Sequence, residues 1–375
     1  MKTALVHYWL VNYRGGEKVI HSLLEMFPDA DIFTHVYDEK AFPENVWDPI
    51  HQCTGSRTIH TSRINRLPFA KRLYQLYMPL MPNALAEFIL QEYDLVISSE
   101  SGPAKGVVPN PKAFHLCYCH SPMRYLWDMY HEYFRKSNPA VRFFMKRLIP
   151  GLRLWDIASS NLVDRFVANS AYVAARIRRY YNREADIVYP PVDIEKFLDV
   201  TRNPGDYYLF FGQLTGYKRA DLAIEACVKS GKHLVVAGSG ASKKDIKKYE
   251  KTGLVEFRGR ISDEEVRGLY AGARALIFPG IEDFGIVPVE AQAAGCPVIA
   301  YRDGGALETV RENETGVFFD EQNADSLIDA IARFEAAAGK GSFSDREIFS
   351  GHVGQFSDKA FKEKIRKIID ERRRV

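Results

Sequence analysis

Only five cysteines occur among the 375 residues: Cys53, Cys117, Cys119, Cys227 and Cys296. They are odd in number and mostly set in apolar surroundings, which argues against a disulfide framework and points to a reducing compartment, the cytoplasm. Long hydrophobic runs are lacking too, and no stretch approaches the ~20 residues needed to span a bilayer. The opening MKTALVHYWLVNYRGGE has no small-residue cleavage site and reads as a first buried strand, not a secretory signal. Charge of one sign is also missing. With 51 basic residues against 48 acidic ones the net charge is +3, too even for a dedicated nucleic-acid binder. Disorder is excluded for the bulk of the chain, since 46% of residues are hydrophobic and 26% charged.

Two cofactor patterns are absent as well. Gly238 and Gly240 begin a G-x-G-x-x-G, but position 243 is lysine, which disfavours an NAD-dependent dehydrogenase. Cys117-Tyr118-Cys119-His120 invites a metal reading. The two cysteines share one face of a strand, however, and no C-x-x-C or H-x3-H partner exists elsewhere, so buried thiols are the expectation. Asp29 and Asp31 enclose Ala30 in a surface turn ahead of a strand and do not form the Asp-x-Asp pair that holds a divalent ion between phosphates.

What is present is alternation. In the second half Tyr207–Phe211, His233–Gly238, Val255–Phe257, Ala275–Phe278, Pro297–Tyr301 and Gly316–Phe319 read as short buried strands. Between them lie helical periodicities such as RADLAIEACVKS and NADSLIDAIARFEAA. Ser262 and Glu265 form a capping box ahead of VRGLYAGA. Short apolar strands separated by helices mean a parallel sheet covered on both faces, a doubly wound α/β domain. The first half repeats the pattern less regularly, with TALVHYW, ADIFTHVY, DLVISS, FHLCYC, RFVANS and ADIVY as candidate strands. Tyr189-Pro190-Pro191-Val192-Asp193 breaks it, because two adjacent prolines continue neither a helix nor a central strand. The expectation is two α/β domains, 1–190 and 191–356, with a ligand cleft between them and a last helix around 357–374. Trp127 and Trp155 are expected in packing rather than as stacking platforms.

The most informative stretch is FPGIEDFGIVPVEAQAAGCPVIAY. A strand ends at Phe278-Pro279, Glu282 follows in the loop, and Glu290, eight residues on, is expected in the first turn of the next helix. The amides of Phe284, Gly285 and Ile286 would then be exposed at the helix start, a place suited to an anion. Carboxylates beside it suit sugar hydroxyls, although the spacing alone equally allows a helix-dipole role for Glu290 and simple solvation for Glu282.

Glu282–Glu290 with AQAAGCPVIA, GGALETV and TGVFF resembles the donor-site signature of retaining GT-B glycosyltransferases of family four. FGQLTGYKRADLAIEA is similar to that family's strand–loop–helix with a pyrophosphate-binding lysine, here Lys218. YPPVDIEKF, VEFRGRISDEEVRGLY, HLCYCHSPMRYLWD and the early Gly15-Gly16 loop also fit, the last two resembling mannosyltransferases for bacterial surface polysaccharides of the O-antigen type. The resemblance spans nearly the whole chain and implies two Rossmann-like domains facing a central cleft, the N-terminal one binding acceptor and the last helix packing back on it. It implies transfer of a sugar, mannose from GDP-mannose, to a lipid-linked oligosaccharide without metal or other cofactor.

Residue by residue, the resemblance gives Glu290 the ribose hydroxyls and Glu282 the transferred sugar, helped by the amides of Phe284, Gly285 and Ile286. Lys218 takes the diphosphate, with Arg219 beside it. Gly15 and Gly16 allow close approach to the phosphates, and His120 lines the sugar. Gly238, Arg260 and Ile261 frame the base. The catalytic set is His120, Lys218 and Glu282. One departure stands out: where the family has arginine five residues before the lysine, this chain has Gln213, which hydrogen-bonds phosphate but brings no charge. That keeps open a non-catalytic subunit that binds sugar nucleotide or glycan and supports a partner enzyme; UDP-sugars also remain open as donors.

Two basic stretches complete the reading. Arg57–Arg72 holds five basic residues and no acid, and Arg135–Arg153 six and no acid, the latter interleaved with Phe143, Phe144, Met145, Leu148 and Ile149. They are either solvated helix faces or a surface for an anionic membrane at the inner face of the cytoplasmic membrane.

Overall fold

The structure, a computed structural model, describes residues 1–41 and 58–372; Cys53, Arg57 and the last three residues lie outside the described residues. The chain divides into two compact units, one of Met1–Pro190 together with the chain from Lys362 onward, the other of Pro191–Phe361. The division falls within the Pro190-Pro191 pair. The last helix, Asp358–Arg372, crosses it at Lys362, four residues beyond its start.

The first unit is built on seven parallel strands, β1 (Thr3–His7), β2 (Asp31–Thr34), β3 (Ile59–Thr61), β4 (Leu95–Glu100), β5 (Phe114–Cys119), β6 (Arg165–Ala168) and β7 (Ala185–Ile187). Their spatial order is β3-β2-β1-β4-β5-β6-β7. Every residue of β1, β4 and β5 is buried, as it must be in a parallel sheet with helices on both faces. β3 has no counterpart among the expected strands. It is three residues long and only half-buried at the sheet edge, so it lacks the apolar run that marks its neighbours. Asp31, at the start of β2, accepts hydrogen bonds from the Thr58 amide and the Tyr93 hydroxyl at 2.8 and 2.7 Å. Cys117 and Cys119 pack with Val163, Phe166 and Val173 in the core beneath the helix Ala171–Tyr181, and burial pushes both thiols up.

The second unit has six parallel strands, β8 (Tyr207–Phe211), β9 (His233–Ala237), β10 (Val255–Gly259), β11 (Leu276–Phe278), β12 (Val298–Tyr301) and β13 (Gly316–Phe319), in the order β10-β9-β8-β11-β12-β13. The capping box forms: Ser262 caps the helix Asp263–Gly272, and its amide donates to Glu265 Oε2 at 2.8 Å. Asn323 caps the helix Ala324–Ala338 by accepting from the Ser326 amide at 2.9 Å. Two arginines fasten the base of the unit to main-chain oxygens. Arg202 donates to the Tyr270 and Ala273 carbonyls, and Arg346 to those of Leu198 and Ala294.

Both sheets reverse direction once. The chain runs outward from the first strand of each unit and then crosses back, so the order switches between β1 and β4 and between β8 and β11. In open sheets of this kind the crevice outside the carboxyl ends at the switch is where ligands bind. Among the described residues no helix is long and apolar enough to cross a membrane.

Beneath the first unit's switch lies a fully buried ionic cluster. Lys105 pairs with Glu100 at 3.3 Å and with Asp156, whose second oxygen accepts from the Trp127 indole at 2.7 Å and the Tyr181 hydroxyl at 3.0 Å. The amides of Ala104 and Lys105 complete the shell around Glu100, so each buried charge is compensated.

Two other buried groups in this unit are neutral. His35 lies between the Ser62 hydroxyl and the Pro103 carbonyl, and His115 between the Ser98 hydroxyl and the Leu162 carbonyl. Burial lowers both to about 4, against the opposing pull of those carbonyls. A histidine with a depressed folded value contributes fully above its unfolded value of about 6.5 and loses that contribution as pH falls toward the folded one. Between pH 6.5 and 4 each should therefore remove about 1.4 kcal/mol of stability per pH unit, read as a falling urea midpoint. His115→Asn should flatten the slope measured over that interval.

Candidate active site

The second unit's switch point is framed by the turns after β8 and β11, and both carry sequence-predicted site residues. The chain leaves β8 through Gly212 and Gln213 and reaches Lys218 at the end of a short 3-10 turn, Gly216–Lys218. It leaves β11 through Pro279 and Gly280 to Glu282. Lys218 Nζ meets Glu282 Oε1 at 2.8 Å, with the two side chains 16% and 19% exposed. That oxygen has no other hydrogen-bond partner. Burial works against the Lys218 charge, but the facing Glu282 carboxylate outweighs it and holds the ammonium above its ordinary value. The lysine is thus a fixed positive charge at the carboxyl ends of the strands.

Backbone packing sets this position. A Cβ on Gly280 would lie 2.6 Å from the Tyr217 carbonyl oxygen and 2.7 Å from Lys218 Cα, and one on Gly305 would lie 2.3 Å from Phe284 Cα. Only glycine permits two main chains to pass so close. The Gly305 amide also donates to the Glu282 carbonyl at 2.8 Å. Neighbouring turns are stitched in the same way: Gly212 N–H to Ala237, Leu214 N–H to Ser239 and Gly238 N–H to Gly259, at 2.7 to 3.0 Å.

The helix after Glu282 runs from Ile286 to Ala293, with Gly285 in the left-handed region at φ 90° as its cap. Phe284 is buried, and Gly285 and Ile286 lie at the helix start. Glu290 is the fifth helical residue and so sits in the second turn, not the first as the spacing had implied; the helix begins only after the Gly285 bend. The Tyr270 hydroxyl lies 3.5 Å from its Oε2.

Of the remaining predicted positions, Gly238 packs on the Gly212 carbonyl, and a Cβ on Gly212 would lie 3.2 Å from Lys218 Nζ. Arg219, at φ 55°, turns to Asp221 and Gln322, each at 3.1 Å. Gln213 is exposed, Gly238 follows β9, Arg260 is exposed and Ile261 half-buried. The structure therefore brings Lys218 and Glu282 into contact and leaves Arg219 outside that pair.

In the first unit Gly15 and Gly16 open the helix Gly15–Met26, whose first turn is closed by Glu17 accepting from the Arg14 amide at 2.9 Å. A Cβ on Gly16 would come within 2.7 Å of the Tyr8 hydroxyl and 3.8 Å of His120 Nε2. His120 follows β5. Its Nε2 meets Ser99 Oγ at 2.7 Å, and burial, then His7, lowers it to about 3, so it is neutral. Ser99 also meets His7 Nδ1 at 3.0 Å. Sequence reasoning missed His7, Ser99 and Glu17. The signal was there in part, since His7 and Ser99 are polar residues near the carboxyl ends of the two buried strands at the switch.

Two family models divide the chain. Glycosyltransferase Family 4 matches residues 13–196 and Glycosyl transferases group 1 matches 194–341. The chain belongs to the GT-B glycosyltransferases of family four. Like it are the alpha-1,3/1,6-mannosyltransferase ALG2 of Mus musculus, 25% identical over 65% of this chain and 65% of that one, and the GDP-mannose-dependent alpha-(1-6)-phosphatidylinositol monomannoside mannosyltransferase of Mycobacterium tuberculosis, 36% identical over 27% of this chain and 30% of that one. The chain thus spans less than two thirds of the length of these curated relatives. HepE of Anabaena, solved in complex with UDP, shares the fold at a TM-score of 0.69 and 15% identity, covering 99% of this chain and 100% of that one.

For this glycosyltransferase, Gly280→Ala should push the turn bearing Lys218 off its position. The expected result is a stability loss of about 1–3 kcal/mol, the usual range for overpacking, together with weakened nucleotide binding. Both are read by thermal denaturation with and without nucleotide.

Proposed function

We propose that this glycosyltransferase moves mannose from GDP-mannose to an acceptor carried on a membrane lipid, with retention of anomeric configuration and without a metal ion. The Lys218–Glu282 pair at the second unit's switch point carries the reading. Breaking a sugar–diphosphate bond leaves negative charge on the departing diphosphate and positive charge on the sugar ring. Lys218 answers the first, together with the amides of Phe284, Gly285 and Ile286, and Glu282 holds hydroxyls of the ring that becomes positive. Glu290, in the second helical turn, takes the ribose, while Gly238, Arg260 and Ile261 frame the base. In the first unit His120 is assigned a sugar hydroxyl and Gly15-Gly16 a phosphate. The acceptor oxygen bonds to the anomeric carbon on the face the diphosphate leaves, and the acceptor's proton passes to that diphosphate. The mannosyltransferase relatives, one of them GDP-mannose-dependent by name, support the sugar and the nucleotide.

A lipid-borne acceptor agrees with the surface of the helix Pro139–Ser159, where Phe143, Phe144 and Leu154 are exposed beside Lys146 and Arg147. Aromatic side chains and cations together suit an anionic bilayer surface, each basic residue contributing about 1 kcal/mol. The protein should sediment with phosphatidylserine vesicles at low salt and stay in solution when Phe143, Phe144, Lys146 and Arg147 are replaced by serine. Equal sedimentation of both proteins would remove the membrane from the account.

A second reading, a non-catalytic subunit that binds sugar nucleotide or glycan, is favoured by one observation. Gln213 supplies no charge, and Arg219 is engaged with Asp221 and Gln322. Thermal shift and turnover separate the two. A nucleotide at 100 times its dissociation constant adds about 2.7 kcal/mol, and GDP should do so where UDP and NAD do not. Glu290→Ala should abolish the shift, whereas Glu282→Ala should keep it and lose transfer. Lys218→Ala should lower kcat by about 10²–10³-fold, the scale of one lost electrostatic donor. A GDP shift without turnover under any donor–acceptor pairing would favour the second reading.

A further inference from the structure

A row of polar contacts crosses the first unit's switch point from the Glu17 carboxylate to His120, hydrogen-bonded from His7 onward. Glu17 Oε1 faces His7 Nε2 at 3.8 Å. His7 Nδ1 meets Ser99 Oγ at 3.0 Å, and Ser99 Oγ meets His120 Nε2 at 2.7 Å. Glu17, His7 and Ser99 are 5%, 1% and 0% exposed, so water does not replace these contacts. The register makes the row possible, since β1 and β4 pair with His7 directly opposite Ser99.

A serine hydroxyl has one proton and two lone pairs, so Ser99 can donate to only one of the two imidazoles. If His7 donates from Nδ1, Ser99 can either donate to His120 Nε2 or accept from it. If Ser99 donates to His7 Nδ1, it accepts from His120 Nε2–H. The buried end decides between them. His7 Nε2 has no hydrogen-bond partner and its neighbour is the Glu17 carboxylate, whose other oxygen is fixed by the Arg14 amide at 2.9 Å. An N–H dipole aimed at a carboxylate in a water-poor site is strongly favoured over a lone pair aimed at it. His7 therefore carries its proton on Nε2, Ser99 donates to His7, and His120 donates from Nε2 to Ser99. That leaves Nδ1 of His120 as a bare acceptor.

We infer that Glu17, acting through His7 and Ser99, fixes His120 as the Nε2–H tautomer so that Nδ1 accepts a hydrogen bond from a hydroxyl of the transferred sugar. The hydroxyl contact rests on the sugar-transfer reading; the tautomer does not. Glu17, His7 and Ser99 are positioning residues that touch no substrate. Neutral His120 presents either an acceptor or a donor at Nδ1, and a wrong tautomer turns a hydrogen bond to a hydroxyl into a mismatch.

Long-range ¹H–¹⁵N NMR of the whole protein, without substrate, reads the tautomer directly. His120 should show a protonated Nε2 and an unprotonated Nδ1, and His7 the same. Glu17→Gln keeps an acceptor for the Arg14 amide but removes the charge. It should mix the two tautomers of His120 and lower kcat up to about tenfold with the donor KM nearly unchanged. Ser99→Ala should do the same by cutting the row, and Glu17→Gln carries the test alone if that variant does not fold. Nδ1-protonated His120 in the parent protein, or both variants leaving tautomer and kcat unchanged, would overturn the proposal. The predicted tautomers in a protein that transfers no sugar would overturn the hydroxyl role and the sugar-transfer reading together, and leave the tautomer assignment standing.

Discussion

An ammonium group held against a carboxylate at the switch point of a parallel sheet is the contact on which the chemistry proposed for the second unit depends. Lys218 and Glu282 come from turns after different strands, β8 and β11, and meet at 2.8 Å. Neither residue is placed by a long helix or by its own rotamer alone. Gly280 lets one turn ride directly on the backbone of Tyr217 and Lys218, and Gly305 lets another do so on Phe284. Main chain touching main chain has no rotamers to relax, so the charge is set before any ligand arrives. Preorganised charge of that kind stabilises a developing anion without reorganising at the moment of reaction.

The first unit handles polar burial by two different rules. Where charge is retained it is fully paired, as in the Lys105 cluster with Glu100 and Asp156. Where an imidazole is buried between a hydroxyl and a carbonyl, burial keeps it neutral, as with His35 and His115. His120 follows the second rule although it lies near Glu17, because His7 and Ser99 stand between them and pass on polarity in place of charge. The two units thus supply different things: the second a fixed cation with a carboxylate, the first a neutral imidazole whose tautomer is set from behind.

Much of this was legible because buried parallel strands write themselves as continuous apolar runs. Five of the six strands of the second unit lie within a segment marked by that signal, β10 runs two residues past its own, and the cap at Ser262 was visible as a spacing. The Lys218 and Glu282 turns could be placed because each follows such a run. β3 was not legible, since an edge strand of two half-buried residues and one exposed leaves no apolar trace. Glu290 was placed one turn too early, because nothing in the spacing reveals that the chain bends through Gly285 before the helix starts. The row from Glu17 to His120 was hidden for a stronger reason: His7 and Ser99 are 92 residues apart, and only strand register makes them neighbours.

The most direct test is a crystal structure of the protein with GDP. The account predicts a diphosphate oxygen within hydrogen-bonding distance of Lys218 Nζ, about 2.7–3.2 Å, with the phosphate also against the Phe284–Ile286 amides and the ribose on Glu290. A diphosphate seated away from both Lys218 and those amides would contradict it.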